Sequence, residues 1–403
     1  QELGILPSNK AEAIVAACAD IQAGNYYDAF VVDSIQGGAG TSTNMNANEV
    51  IANIALSKLG YEKGEYQHLH PNDDVNCCQS TNDVYPTAAC LAIQLAGDSL
   101  IVAVEELKVA LEVKAEEFSN VLKMGRTQLQ DAVPMSLGQE FKAFAVTLGE
   151  ETSRLQEAGK LLCEVNLGGT AIGTGINSHK NYSVLAIKNL AQISKKPLVR
   201  AGNLVEATSD MGAFVYYSGI LKRLAIKLSK VSNDLRLLSS GPRTGFGEIT
   251  LPSVQPGSSI MPGKVNPVIP EAVNQTAYQV IASDLAVTLA AEAGQLQLNA
   301  MEPLIIYNLL NSIKMLTSNC DMLNKRCIKG IKANVERCRE HVENSIGTVT
   351  ALVPVIGYAN ATMVASLALN ENKTISEVVL SKNLLTAQEL ADLLDPHSML
   401  EMN

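Results

Sequence analysis

Residues 98–124 contain neither glycine nor proline, and their apolar positions fall at Leu100, Val104, Leu107, Leu111, Ala115, Phe118 and Leu122. Steps of three and four place these side chains on one face of a helix. Similar stretches run over residues 220–240, 271–293 and 304–329. At about 1.5 Å per residue they predict helices of roughly 30–40 Å. No alternating apolar and polar series competes with them, so the chain reads as all-α. One run, Leu285-Ala286-Val287-Thr288-Leu289-Ala290-Ala291, is apolar on more than one face. Such a helix must be buried all round. A bundle packed against partner subunits satisfies that, and so does the core of a monomeric bundle. Glycine and proline divide the chain into three expected domains: an N-terminal part over 1–79, a central long-helix bundle over 80–330, and a small helical part over 331–403 broken at Pro354, Gly357 and Pro396.

Composition narrows the function. The 403 residues are 47% hydrophobic and 18% charged, with a formal net charge of −10. That is a sound composition for a large core, and it lacks the basic face of a nucleic-acid binder. No run of about 18 apolar residues predicts a membrane span. The start lacks a basic-then-apolar signal segment, so the expected location is cytoplasmic. It also lacks methionine, which reads as trimming at the N-terminus. Eight cysteines include the neighbours Cys77 and Cys78 but no CxxC pair, a pattern of free thiols in a reducing compartment. Of the five histidines, His68 and His70 come nearest to a metal-ligand spacing, and an exposed loop is the simpler reading.

Four polar islands interrupt this apolar scaffold: residues 40–49, 70–83, 125–132 and 257–267. Singly, each reads as helix caps and turn residues. Together they hold more amide and hydroxyl groups than capping requires. Neutral donors suit an ionised carboxylate, which accepts several hydrogen bonds. With Lys264 and Arg126 behind them, they could hold a small dicarboxylate. There is no glycine-rich phosphate cradle, HExxH or GxSxG motif.

The run Gly257-Ser258-Ser259-Ile260-Met261-Pro262-Gly263-Lys264-Val265-Asn266-Pro267 resembles the mobile serine loop that marks the aspartase/fumarase superfamily. The likeness extends from the first residues nearly to the C-terminus. Gly38-Ala39-Gly40-Thr41-Ser42, Gln79-Ser80-Thr81-Asn82-Asp83 and Pro267-Val268-Ile269-Pro270-Glu271 are most similar to the aspartase branch. Three features depart from the common pattern. Gln128 stands where many members carry histidine, although some aspartases share it. Gly169, in Asn166-Leu167-Gly168-Gly169-Thr170, is closer to the fumarase form. Members also carry a further N-terminal segment ahead of the point where this sequence begins.

The resemblance implies a three-domain helical fold and a homotetramer with a 20-helix core, each active site being shared among three subunits. It implies elimination of ammonia from L-aspartate to give fumarate through an aci-carboxylate. Ser258 would be the base, activated by Lys264 or by loop N–H groups. Lys264 would also meet the β-carboxylate, with Asn266. Thr41, Ser80, Thr81, Asn82, Thr127 and Ser259 would hold the carboxylates and ammonium, and Gln128 would be a neutral contact near the amino group. The loop would close as a lid, placing Ser258 only when shut. No cofactor or catalytic metal is expected; magnesium activates some members, and no ligand cluster here places such an ion. The competing readings are a class II fumarase and a non-catalytic structural relative of the crystallin kind.

Overall fold

The computed structural model describes residues 1–395, so Pro396 and the end of the third expected domain lie outside the described residues. Thirteen α-helices carry the described fold: α1 (Ser8–Gln22), α2 (Thr41–Lys58), α3 (Thr81–Glu117), α4 (Leu137–Leu161), α5 (Tyr182–Ser194), α6 (Leu204–Ala207), α7 (Gly212–Leu238), α8 (Val268–Glu292), α9 (Glu302–Arg326), α10 (Val335–Asn344), α11 (Val349–Glu371), α12 (Ile375–Ser381) and α13 (Ala387–Leu393). Strands are short: β1 (Leu122–Thr127) pairs antiparallel with β2 (Gln130–Ser136), β3 (Glu164–Val165) lies parallel to β4 (Val199–Arg200), and β5 (Ile249–Thr250) pairs with β6 (Lys332–Ala333).

The fold class is mainly α, as the periodicity predicts, and α7, α8 and α9 fall where three of the four expected helices lie. The fourth differs at both ends. α3 begins at Thr81 and stops at Glu117, and Leu122 opens a strand. Leu122 keeps the helical spacing only by coincidence. β1 is buried through its middle, so it shows no polar alternation that would mark it as a strand.

The chain forms two compact units, each drawn from three stretches of sequence. The first comprises Gln1–Val102, Glu151–Ile226 and Ala277–Thr317. In it α1 packs on α2 around Ala17, Ala52, Ala55, Leu56 and Leu69. The second comprises Ala103–Glu150, Lys227–Thr276 and Ser318–Asn403. In it α10 lies on β1, while α11 meets α12 around Leu352, Val364, Ile375 and Val379.

α3 and the helical stretch Ile346–Glu371 are long and apolar enough, on average, to cross a membrane, although neither is an unbroken apolar run. Half of the apolar window in α3 is buried within the protein. In α11, Gly357 adopts φ 77° and ψ 157°, which breaks the helix. Neither half then reaches the roughly 20 residues that a spanning helix needs.

Candidate active site

The first two islands meet within the first unit. Gly40, at φ 84°, precedes the first residue of α2. A Cβ there would stand 2.5 Å from the Tyr85 ring, so both the conformation and the space call for glycine. Thr41 turns its hydroxyl back to the Gly38 carbonyl at 2.8 Å. One turn on, buried Asn44 donates to the Thr81 hydroxyl at 3.0 Å and to Asn76 Oδ1 at 3.2 Å. Asn48 reaches the same Asn76 oxygen at 3.0 Å. These amides bind the start of α2 to the start of α3 and fix Thr81.

Ser80 precedes α3, and its hydroxyl accepts from Asn82 N–H at 3.3 Å. Asp83, fully buried, accepts from the N–H groups of Ser80, Gly168 and Thr170 at 2.9–3.0 Å. Burial raises its carboxyl, and those N–H donors work against the rise. Pro86 lies inside α3 and has no N–H for the Asn82 carbonyl. Asn166 Nδ2 supplies the missing donor at 2.9 Å, while Asn82 Nδ2 donates to the Ala171 carbonyl at 2.8 Å. The loop over residues 166–171 is thereby latched to Asn82.

Glu302, the first residue of α9, is 1% exposed, and neither of its carboxyl oxygens has a hydrogen-bond partner among the described residues. Burial pushes its carboxyl up to about 8. The same acid adds to the burial that pushes the Tyr85 phenol and the Cys90 thiol each up to about 12. The folded protein thus holds the Glu302 proton more tightly than the unfolded chain does. Stability from this site is fully present below the ordinary carboxyl range and is lost as pH rises through about 8. Glu302→Gln keeps the volume and removes the ionisation. We predict that its stability declines less than the wild type's between pH ~5 and ~9, by at most about 5 kcal/mol, as followed by thermal unfolding. Equal declines would overturn this.

In the second unit, β1 ends at Thr127, which pairs with Gln130 across a two-residue turn. Gln128 (φ 54°) and Leu129 (φ 62°) both sit in the left-handed region, as a primed hairpin turn requires. Neither is a glycine, so the tip is strained, a condition that gathers at functional positions. Behind the hairpin lies a group that the sequence did not single out. Glu248 is completely buried; Arg126 Nη1 donates to its Oε1 at 2.6 Å and His341 Nδ1 lies 3.0 Å from the same oxygen. Lys123 Nζ lies 2.9 Å from Oε2, close enough to pair though poorly aligned as a hydrogen bond. Burial alone would raise this carboxyl; Lys123, His341 and Arg126 more than offset it and hold it below the usual range. Arg126 also lies over the Phe246 ring, 4.2 Å from its centroid. Its expected use on a substrate carboxylate is therefore corrected: the guanidinium is already engaged, and it braces the hairpin.

The fourth island forms an open concavity of about 570 Å³ lined by Gly257, Ser258, Met261, Lys264 and neighbours. The Ser258 hydroxyl accepts from the N–H groups of Ile260 and Met261, both at 3.2 Å. Two backbone donors on one oxygen make a nest that would stabilise it as an alkoxide. Lys264 is exposed, and its ammonium has no ion-pair partner among the described residues. Asn266 Nδ2 donates to the Gly257 carbonyl at 2.6 Å, tying the two ends of the loop. A Cβ on Gly257 would fall 2.0 Å from the Lys264 carbonyl oxygen, so only glycine closes this base. Ser259 is exposed and Ile260 is 84% exposed, an apolar side chain left in water at the loop's tip. Within each unit, then, Thr41 is brought towards Ser80, Thr81 and Asn82 through Asn44, and Ser258, Ser259, Lys264 and Asn266 share one loop. Thr127 and Gln128 occupy a separate hairpin of the second unit.

Comparison with known proteins identifies the family. A family model described as Lyase matches residues 1–282, and one described as Fumarase C C-terminus matches residues 349–401. The chain is 63% identical over 401 residues to an aspartate ammonia-lyase of Pseudomonas fluorescens, covering 99% of this chain and 84% of that one. It is 54% identical to the aspartate ammonia-lyase of Escherichia coli K12, with the same coverage. In three dimensions it is similar to a fumarate lyase:delta crystallin from Brucella melitensis bound to cobalt, with TM-score 0.97 and 60% identity over 100% of this chain and 87% of that one. A class II fumarase from Schistosoma mansoni gives TM-score 0.93 at 34% identity, over 99% and 86%. By sequence, by fold and by its serine loop, the chain belongs to the aspartate ammonia-lyase family of the aspartase/fumarase superfamily.

Proposed function

We propose that this protein converts L-aspartate reversibly to fumarate and ammonia, with Ser258 as the base. The observation that carries the mechanism is the Ser258 hydroxyl held by two loop N–H groups in a concavity shared with Lys264, whose ammonium has no ion-pair partner among the described residues. The proton next to the β-carboxylate is very weakly acidic, so the charge left by its removal must spread into that carboxylate as an aci-carboxylate. Lys264 meets this charge, and the second amide hydrogen of Asn266 is free to assist. Preorganised donors of this kind are worth roughly 3–4 kcal/mol each. Collapse of the intermediate expels ammonia. Thr41, Ser80, Thr81, Asn82, Thr127 and Ser259 hold the carboxylates and ammonium, and Gln128 lies near the amino group as a neutral contact. The reading needs no cofactor, and any magnesium effect acts outside the reacting groups. Relatives named aspartate ammonia-lyase at 54–63% identity favour ammonia over water as the leaving group. Incubation with L-aspartate and, separately, with L-malate, followed by fumarate absorbance, tests this: product from malate alone would overturn it.

In this reading the three sequential parts are domains of a cytoplasmic homotetramer, with each site shared among three subunits. Exposed apolar stripes support such an assembly: Leu95, Val102, Val109 and Val113 on α3, and Tyr278, Ile281, Leu285 and Leu289 on α8. Burying them would satisfy helices that are apolar on several faces. Sedimentation coupled to assay should find turnover only with the tetramer; an active protomer would reject the shared site.

A further inference from the structure

Asn76-Cys77-Cys78-Gln79 is a tight turn in which the Gln79 N–H donates to the Asn76 carbonyl at 3.0 Å. Asn76 bolts it in place. Its Nδ2 donates to the Gln79 carbonyl at 3.1 Å, and its Oδ1 accepts from Asn44 and Asn48 of α2. Cys78 adopts φ 63°, a left-handed conformation that its surroundings must hold. The turn brings the two sulfurs to 3.9 Å, with both residues partly exposed. Of the other six cysteines, five are buried and Cys18 is partly exposed.

A disulfide would need the sulfurs at about 2.05 Å, hence movement of a turn that is pinned on both sides. A single soft, pyramidal atom bonded to both sulfurs at about 2.3 Å, with an angle of roughly 100°, sets them about 3.5 Å apart. The fold already supplies 3.9 Å, so a small side-chain rotation closes the difference without moving the turn. Burial, and then the neighbouring Cys78, raise the Cys77 thiol, which makes it a poor attacking nucleophile and speaks against thiol–disulfide exchange.

We propose that Cys77 and Cys78 are a chelating dithiol for trivalent arsenicals, and that occupancy there inhibits the enzyme. The step is a condensation. Two S–H bonds and the As=O bond are lost, two As–S bonds form, and both protons leave with the oxygen as water; arsenic stays trivalent. Inhibition follows from position, because Ser80 and Thr81 come directly after the turn and Asn44 joins Asn76 to Thr81. That second half rests on the proposed aspartase activity; capture does not.

Phenylarsine oxide is the probe, used on the full chain and read by intact mass and by turnover. One phenylarsenic group per chain should survive excess monothiol and be removed by a dithiol. Cys77→Ser and Cys78→Ser should each lower retention at least ~10-fold and abolish inhibition while keeping basal turnover; Cys18→Ser should change nothing. Retention equal in the wild type and both serine variants, or release by monothiol alone, would overturn capture whatever the activity. Full turnover by arsenical-loaded wild type would overturn the inhibitory role.

Discussion

Replacing Ser258 by alanine should lower turnover of L-aspartate by roughly 10²–10⁴-fold, the usual contribution of a positioned general base. The hydroxyl accepts two backbone N–H groups and is part of the concavity that holds Lys264. Removing it leaves those N–H groups to water on an open loop, so little stability is lost. The loss should fall on kcat, with KM nearly unchanged, because in the proposed mechanism the serine acts on the reacting carbon rather than on the carboxylates. Steady-state fumarate formation, with circular dichroism to check the fold, measures both. Turnover within a few-fold of wild type would show that another group takes the proton. The proposed lid would also account for Ile260, which is exposed at the loop's tip and would be covered on closure. A dicarboxylate complex with the loop shut and Ser258 still distant from the substrate carbon would refute that part.

Much of this was legible in the sequence, for physical reasons that differ by element. α7, α8 and α9 announce themselves because a helix with one buried face repeats its apolar residues at steps of three and four. The serine loop and the Thr41 and Thr81 islands stand out because polar clusters are rare in such a scaffold. The hairpin was hidden, since β1 is buried through its centre and carries Lys123 there, against the pattern of a half-exposed strand. The joining of Asn44 to Thr81 across 37 residues is a tertiary fact with no local trace. Glu248 was invisible for the same reason: it is one acid among 41 Asp and Glu residues, and only folding brings Lys123, Arg126 and His341 around it. Arg126 was misread because a guanidinium beside a polar island looks free until its carboxylate partner is placed.

Glu248→Ala should destabilise the second unit by about 3–5 kcal/mol, the cost of breaking a buried ion pair. Lys123, with a side chain 3% exposed, would keep only Glu140 at 2.6 Å. Arg126 would lose its 2.6 Å contact and His341 its 3.0 Å contact, leaving His341 of α10 tied to β1 through Arg126 Nη2 at 3.3 Å. A cavity adds to the loss. Because Lys123 and Arg126 are both on β1, the strain reaches Thr127 and the Gln128 tip, so KM for L-aspartate should rise as stability falls. Glu248→Gln should lie between, keeping volume and one acceptor. A double-mutant cycle of Glu248→Gln and Lys123→Met should show a coupling energy between the two side chains, which share one buried contact. The pH dependence has a definite sign. The folded carboxyl is held below its ordinary range, so its stabilisation is present above that range and is lost as pH falls through the depressed value. Thermal midpoints of wild type and Glu248→Gln should therefore converge in acid and separate towards neutrality. A constant gap across that window would mean that packing, rather than charge, holds the hairpin against α10.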